Sequence, residues 1–328
     1  MVEVIHHDIE KYTDNLHVMA KEGSLKARSD DYGWFVSEKY ILPYFIDKRL
    51  IFRKMVFMTG CLPRVEGLTP DDEKAFLDDV IAYIKENMKE VDFIGKAQSV
   101  AVFHACPTGA ECVPWGTYII DLEGKSEEDI LAGFEGKTRQ GVRKGIKKGV
   151  TIETTDDLDL VFNVIKDTFV RQNSPYMASY DYFKRLYDNL RDNVKLYVAR
   201  ADGEVQGVYI IAFDDESGYS WYSGSAARMV NGANNLLHYQ IMVDMMKMGK
   251  KYFNLVGARL NVKPGTKYAG INKFKLGFKP RIEEGYAFRY IFKPWKFKLY
   301  NLAVKLYFKK KGMTYIDPID QIRDNKYD

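Results

Sequence analysis

At 328 residues this sequence lacks any need for a disulfide or metal staple, because each of two ordinary domains can bury its own core. Its three cysteines, Cys61, Cys106 and Cys112, form an odd count without CxxC spacing. No secretory hydrophobic core precedes the first acidic and polar residues, so a reduced cytoplasm is the expected compartment. No run approaches the roughly 20 apolar residues that cross a bilayer, and any membrane contact is expected to be peripheral. His6, His7, His17 and His104 show no ligand spacing with the cysteines, so no metal is expected. A dominant charge is absent too. The net +4 is too mild to imply nucleic acid by itself, so what matters is where the charge sits. No fixed-period repeat of the solenoid kind is present.

What is present is an ordinary globular composition, 46% hydrophobic and 29% charged, with an unusual 23 Tyr and 19 Phe. That composition excludes extensive disorder, and the length suffices for two domains with their own cores. From Phe35 to Leu62 aromatic and β-branched residues predict two or three strands, with turns around Asp47 and Lys48. A helix should follow, capped by Thr69, with Pro70 in its first turn and Leu77, Val80, Ile81, Ile84 and Met88 on one face. Strands are expected at 92–94, 100–104 and 117–122. Ser126 and Asp129 then open a helix as a capping box, and it runs through the basic segment from Lys137 to Lys148. Gly149 ends it.

The second half predicts helices from about Asp157 to Arg171 and from Ser179. Strands 194–200 and 205–213 flank the turn Ala201-Asp-Gly-Glu204, and a third covers Tyr219 to Ser223. A polar loop from Ala226 to Asn235 leads into a helix through Lys250, then the short strand from Tyr252 to Val256. Helix, helix, three strands, Gly-bearing loop, helix and strand is the order of a GNAT acyltransferase core, and the first half is a looser version of it. The fold class read from this order is α/β (α+β), with two tandem GNAT-like domains, each a mixed, largely antiparallel sheet flanked by helices. The boundaries are 1–149, 150–290 for the domain with the acyl-transfer cleft, and 291–328 for a basic aromatic C-terminal helix and tail.

The loop Arg228-Met-Val-Asn-Gly-Ala233 lies where GNAT enzymes bind the pyrophosphate of acyl-CoA on backbone N–H groups. Here Asn231 stands at the first glycine position, with Gly232 after it. The second half resembles the Fem family through Trp221-Tyr-Ser-Gly-Ser225, the helix Asn235 to Gly249, Tyr252-Phe-Asn-Leu-Val-Gly257 and Gly270-Ile-Asn-Lys-Phe-Lys-Leu-Gly-Phe278. In the first half, Thr117-Tyr-Ile-Ile-Asp-Leu122 and Arg143-Lys-Gly-Ile-Lys-Lys-Gly-Val150 resemble the family's linker.

That resemblance implies an acyltransferase of the EC 2.3 class. It would move an amino acid from an aminoacyl-tRNA donor to an amine of a peptidoglycan precursor acceptor, forming a bridge or branch without a bound cofactor. Lys275 matches the family's reactive-centre lysine, as an ammonium facing developing negative charge or terminal phosphates. Tyr222, beside the expected cleft, is a second catalytic candidate that could hold the oxyanion. Ser223, Arg228, Asn231, Gly232, Asn254, Arg259 and Phe274 are the substrate-binding candidates at strand ends and loops. Lys137, Arg139, Arg143, Lys144, Lys147 and Lys148 are the candidates for tRNA phosphates. His238 is expected to be a packed histidine rather than a base. An acyl-CoA-dependent N-acyltransferase and a non-catalytic GNAT-like protein binding RNA or precursor remain the alternatives.

Residues 293–311 carry seven lysines, no acidic residue and interleaved aromatic and leucine side chains. They are expected to dock on the body of the protein, to lie peripherally at the inner face of a membrane, or to hold nucleic acid.

Overall fold

The computed structural model describes residues 2–174 and 177–325. In chain order it begins with β1 (Glu3–Ile5), α1 (Glu22–Arg28), β2 (Tyr32–Val36), β3 (Tyr40–Arg49), β4 (Phe52–Phe57), β5 (Leu62–Pro63), α2 (Pro70–Asn87), β6 (Phe93–Ile94) and β7 (Glu111–Asp121). There follow α3 (Glu127–Gly133), α4 (Gly136–Lys147), β8 (Thr151–Thr155), α5 (Leu158–Arg171), α6 (Tyr180–Asn189), β9 (Val194–Ala201), β10 (Glu204–Phe213) and β11 (Ser217–Ser225). The chain closes with α7 (Ala233–Lys247), β12 (Tyr252–Asn254), α8 (Lys267–Leu276), β13 (Arg281–Ile291), α9 (Pro294–Lys310) and α10 (Pro318–Asp324). The fold is α/β, with mixed and mostly antiparallel pairing and flanking helices.

Two compact units result: Met1–Thr117 with Gly257–Ala269 and Glu283–Asp328, and Tyr118–Val256 with Gly270–Ile282. They are cut differently from the sequence boundaries at 149 and 290. The reason is that the chain leaves the first unit within β7 and re-enters it twice, a path that local periodicity does not encode. The basic helix α4 consequently belongs to the second unit, and the tail to the first.

In the first unit β1-β2-β3-β4-β6-β13 lie in that order, with β5 on β3. Thr69 and Asp72 close a reciprocal capping box and Pro70 sits in the first turn, which sets where α2 starts. Its Phe76, Leu77, Val80, Ile81 and Ile84 bury against Phe35, Tyr44, Phe57 and Phe288, each worth about 1.5–3 kcal/mol relative to exposure. α10 adds Ile319 and Ile322 to Val102, Val113, Trp115 and Ala287. It is pinned by the buried Arg289, whose guanidinium meets Asp317 at 2.8 Å and Asp320 at 2.9 Å. Cys106 and Cys112 are joined as a disulfide with Cα atoms 6.3 Å apart. CxxC arithmetic misses this pairing, because it is the turn closed by Ala110 N–H on Pro107 O that brings them together.

In the second unit the order is β7-β12-β11-β10-β9-β8. Asp202 and Gly203 both take positive φ, 49° and 80°, matching the tight hairpin read from Ala201-Asp-Gly-Glu204. Ser126 with Asp129 forms the anticipated capping box, but the helix does not run through to Lys148. It breaks at Phe134, which is buried against Phe278 and Tyr239, and α4 restarts after Glu135. Gly149, at φ 66°, ends α4.

Candidate functional site

Within the second unit, β11 and β12 run parallel but pair only over Ser217↔Tyr252, Gly218↔Phe253 and Tyr219↔Asn254. Beyond Tyr219, β11 stays on β10, with the register slipping at Trp221, while the chain after β12 turns away. Leu255 N–H instead donates to Tyr118 O at 2.8 Å, and the Asn254 side-chain oxygen takes Val256 N–H at 2.7 Å. Val256 sits at φ 47°, where a β-branched residue is strained. The edge of β11 from Ser220 to Ser225 is thereby left without a strand on its β12 side among the described residues. Such an edge presents backbone donors and acceptors that an extended acyl or peptide chain can use.

Lys275 reaches this splay from α8. Its Nζ donates to Val256 O and lies 5.6 Å from the centroid of the Tyr118 ring. Burial lowers its pKa to about 7, so near neutrality it exists both as ammonium and as free amine. The sequence pattern around Phe274 and Lys275 reads as a strand, whereas the structure makes it helix. A short apolar alternation cannot distinguish the two, and Thr266 Oγ1 accepting Ala269 N–H at 3.3 Å supports the helical first turn. Lys273, two residues earlier, is exposed.

Behind Lys275 is an aromatic wall. His238 on α7 is buried between Tyr209 at 4.7 Å, Phe274 at 5.0 Å and Phe278 at 5.1 Å between ring centroids. Its Nδ1 lies 2.9 Å from Asn234 O, an atom that can only accept, so Nδ1 carries the proton. Burial first, and then the Lys275 charge, bring its pKa down to about 4. A neutral, packed imidazole is what the helical periodicity predicts here.

β11 alternation separates the candidates that the sequence placed side by side. Ser223 stands opposite Tyr209 and hydrogen-bonds its hydroxyl, on the face covered by α7. Tyr222 points to the other face, its ring 4.7 Å from Phe183 and its hydroxyl 3.4 Å from that of Tyr182, both on α6. Tyr209, which no local pattern singles out, takes the place beside Ser223.

Arg228 and Asn231 are exposed in the loop before α7. Gly232, at φ 97°, is pressed against α4, where an added Cβ would meet Gly141 O at 2.3 Å and Gly145 N at 2.6 Å. A Cβ on Gly145 would in turn meet Gly232 O at 2.9 Å. These glycines serve a close helix approach. On α4 the guanidinium of Arg139 is taken up by Ala132 O at 3.0 Å and by Phe134 O, carbonyls at the end of α3. Lys137, Arg143, Lys144, Lys147 and Lys148 remain exposed. Arg259 belongs to the first unit, with its guanidinium 3.8 Å from the Tyr268 ring centroid and 5.9 Å from that of Trp115.

The FemAB family profile matches residues 79–206. Among solved structures, FemX superposes with a TM-score of 0.66 at 14% identity, covering 90% of this chain and 99% of that chain. The C-terminal domain (DUF2156) of a putative lysylphosphatidylglycerol synthetase from Agrobacterium fabrum gives 0.54 at 17%, covering 86% and 91%. L-PGS from Bacillus licheniformis gives 0.54 at 14%, covering 86% and 90%. No curated protein matches. At these identities the structural likeness establishes the fold.

Proposed function

We propose that this chain is a transferase that carries an amino acid from aminoacyl-tRNA to an amine of a peptidoglycan precursor. The observation that carries the reading is Lys275, whose Nζ donates to Val256 O where β12 parts from β11. The FemAB match and the FemX fold support the substrate class.

In this reaction the acceptor nitrogen attacks the ester carbonyl of the charged tRNA. A C–N bond forms, the C–O bond to the terminal ribose breaks, the amine sheds a proton, and the released hydroxyl gains one. The tetrahedral intermediate puts negative charge on the former carbonyl oxygen. In this reading the Lys275 ammonium meets that charge, or the terminal phosphates of the donor, in a partly dry setting where it acts more strongly than in water. The exposed cations of α4 supply the sequence-independent attraction that a tRNA backbone requires. Charged tRNA places the working enzyme in the cytoplasm.

An acyl-CoA donor is less well served. Its pyrophosphate needs the backbone of the loop before α7, and Gly232 there is already in contact with Gly141 and Gly145. No bound cofactor enters the proposed chemistry. Incubation with labelled aminoacyl-tRNA, labelled acetyl-CoA and a muropeptide acceptor tests the reading. Label should pass from tRNA to the muropeptide. Transfer from acetyl-CoA alone would replace this function with the N-acyltransferase one, and binding without any transfer would leave a non-catalytic protein.

A further inference from the structure

α9 has two apolar faces, and the protein uses only one. On its inner side the Phe297 ring lies 5.0 Å from Phe93, Tyr300 lies 5.4 Å from Phe52, and Phe308 stacks at 5.7 Å on Tyr315. Lys293 and Lys296 pair with the buried Asp92 at 3.0 Å each and anchor the start of the helix. Trp295, Leu299, Leu302 and Leu306 follow one another at spacings of four, three and four, which places them on a single stripe. That stripe is exposed, with Trp295 at 62%, Leu302 at 54% and Leu306 at 52%.

A second exposed apolar element adjoins it. At the β3–β4 turn Leu50 is 92% and Ile51 55% exposed, and Leu50 holds a left-handed φ of 51°. The turn is built rather than loose. Arg53 donates to Leu50 O at 2.9 Å and Phe52 O at 3.0 Å, and Lys296 donates to Ile51 O at 3.0 Å, tying the tip to the start of α9. A leucine held in strained backbone and pointed into water costs stability twice, unless something other than water meets it.

We propose that the outer stripe of α9 and the Leu50–Ile51 tip form a docking surface for an anionic lipid bilayer. Charge identifies the occupant. Lys298, Lys305, Lys309, Lys310 and Lys311 make no ion pair among the described residues, and residues 293–311 contain no acid. A helix that lies in the interface with leucines and a tryptophan below and lysines at the headgroups has this composition. Nucleic acid would be met by rings on which bases stack, and three of the four stripe residues are leucine. A second copy would bring the same lysines against each other. No helix among the described residues is long and apolar enough to cross the membrane, so the contact is superficial.

Flotation of the full chain with vesicles of phosphatidylcholine, with and without phosphatidylglycerol, tests the proposal. The parent should float with the anionic vesicles and lose that association as salt rises. The variant Leu299→Ser/Leu302→Ser/Leu306→Ser should bind about tenfold or more weakly at an unchanged melting temperature. Leu50→Ser/Ile51→Ser should weaken binding independently. Emission from Trp295, taken as the difference from Trp295→Phe, should shift to the blue on anionic vesicles. Equal flotation of parent and leucine variant with no shift at Trp295 would overturn the proposal. So would a dimer in buffer that the leucine variant abolishes, or tRNA bound through this face by a parent that ignores vesicles.

Discussion

The Nζ of Lys275 donates to the carbonyl oxygen of Val256, a β-branched residue held at φ 47° where β12 parts from β11. A half-buried amine thus commits a hydrogen bond to the carbonyl of a strained residue where the two strands part. In the proposed reaction this contact would hold the amine in place before substrate binds, the preorganisation that charge stabilisation requires.

Replacing Lys275 with Ala should lower amino-acid transfer by about 10² to 10³, the cost of losing one oxyanion-type donor. Lys273→Ala removes the same charge from an exposed position two residues away and should change the rate by less than a few-fold. Single-turnover transfer from charged tRNA measures both. Equal rates for Lys275→Ala and the parent would remove Lys275 from the chemistry. An equal fall in both, restored by added tRNA, would move it to donor binding.

Burial lowers the Lys275 pKa to about 7, and the proposed role needs the ammonium. The expected kcat/KM is therefore flat at acid pH and falls as pH rises through about 7. Lys275→Arg, which stays charged, should lose that alkaline limb even if its rate is lower. A profile that rises through the same pH would make Lys275 a base. Stability moves the opposite way. A lysine whose folded pKa lies below its unfolded value binds more protons when unfolded, so its cost is absent above the ordinary lysine range and grows as pH falls toward about 7. Urea melts of Lys275→Met should lack this part of the slope.

At the α4–α7 crossing, Gly232→Ala should destabilise the fold by about 1–3 kcal/mol or more, because it adds left-handed strain to a backbone clash with Gly141 and Gly145. Gly149→Ala has strained φ but open space around it and should cost less. Denaturant midpoints at equal m-value compare them. Similar small costs for both would mean that α4 can move off α7, reopening the loop to a pyrophosphate.

Cations on α4 should divide into two kinds. Arg139→Ala removes donors to the α3 carbonyls and should lower the melting temperature with little effect on tRNA. Arg143→Ala/Lys144→Ala/Lys147→Ala should leave melting unchanged and flatten the salt dependence of tRNA binding by up to about 0.9 for each phosphate no longer neutralised. Filter binding across a salt series measures the slope. An unchanged slope would move the tRNA footprint elsewhere.

The sequence by itself determined what depends on neighbours along the chain. Thr69 with Asp72, and Ser126 with Asp129, start helices where their side chains reach backbone N–H groups three residues away. Asp202-Gly203 turns a hairpin, Gly149 stops α4, and the burial of His238 follows from helical spacing. Tertiary structure decided what depends on partners far along the chain. Whether Phe274-Lys275 is strand or helix depends on which surface Phe274 meets, and it meets His238 and Phe278. Tyr222 and Ser223 part company because β10 fixes the register of β11, and one pleat sends them to opposite faces. The return of 257–269 and 283–328 to the first unit, and the choice of which α9 face is buried, follow from which apolar surfaces remain to be covered, and no local period encodes that.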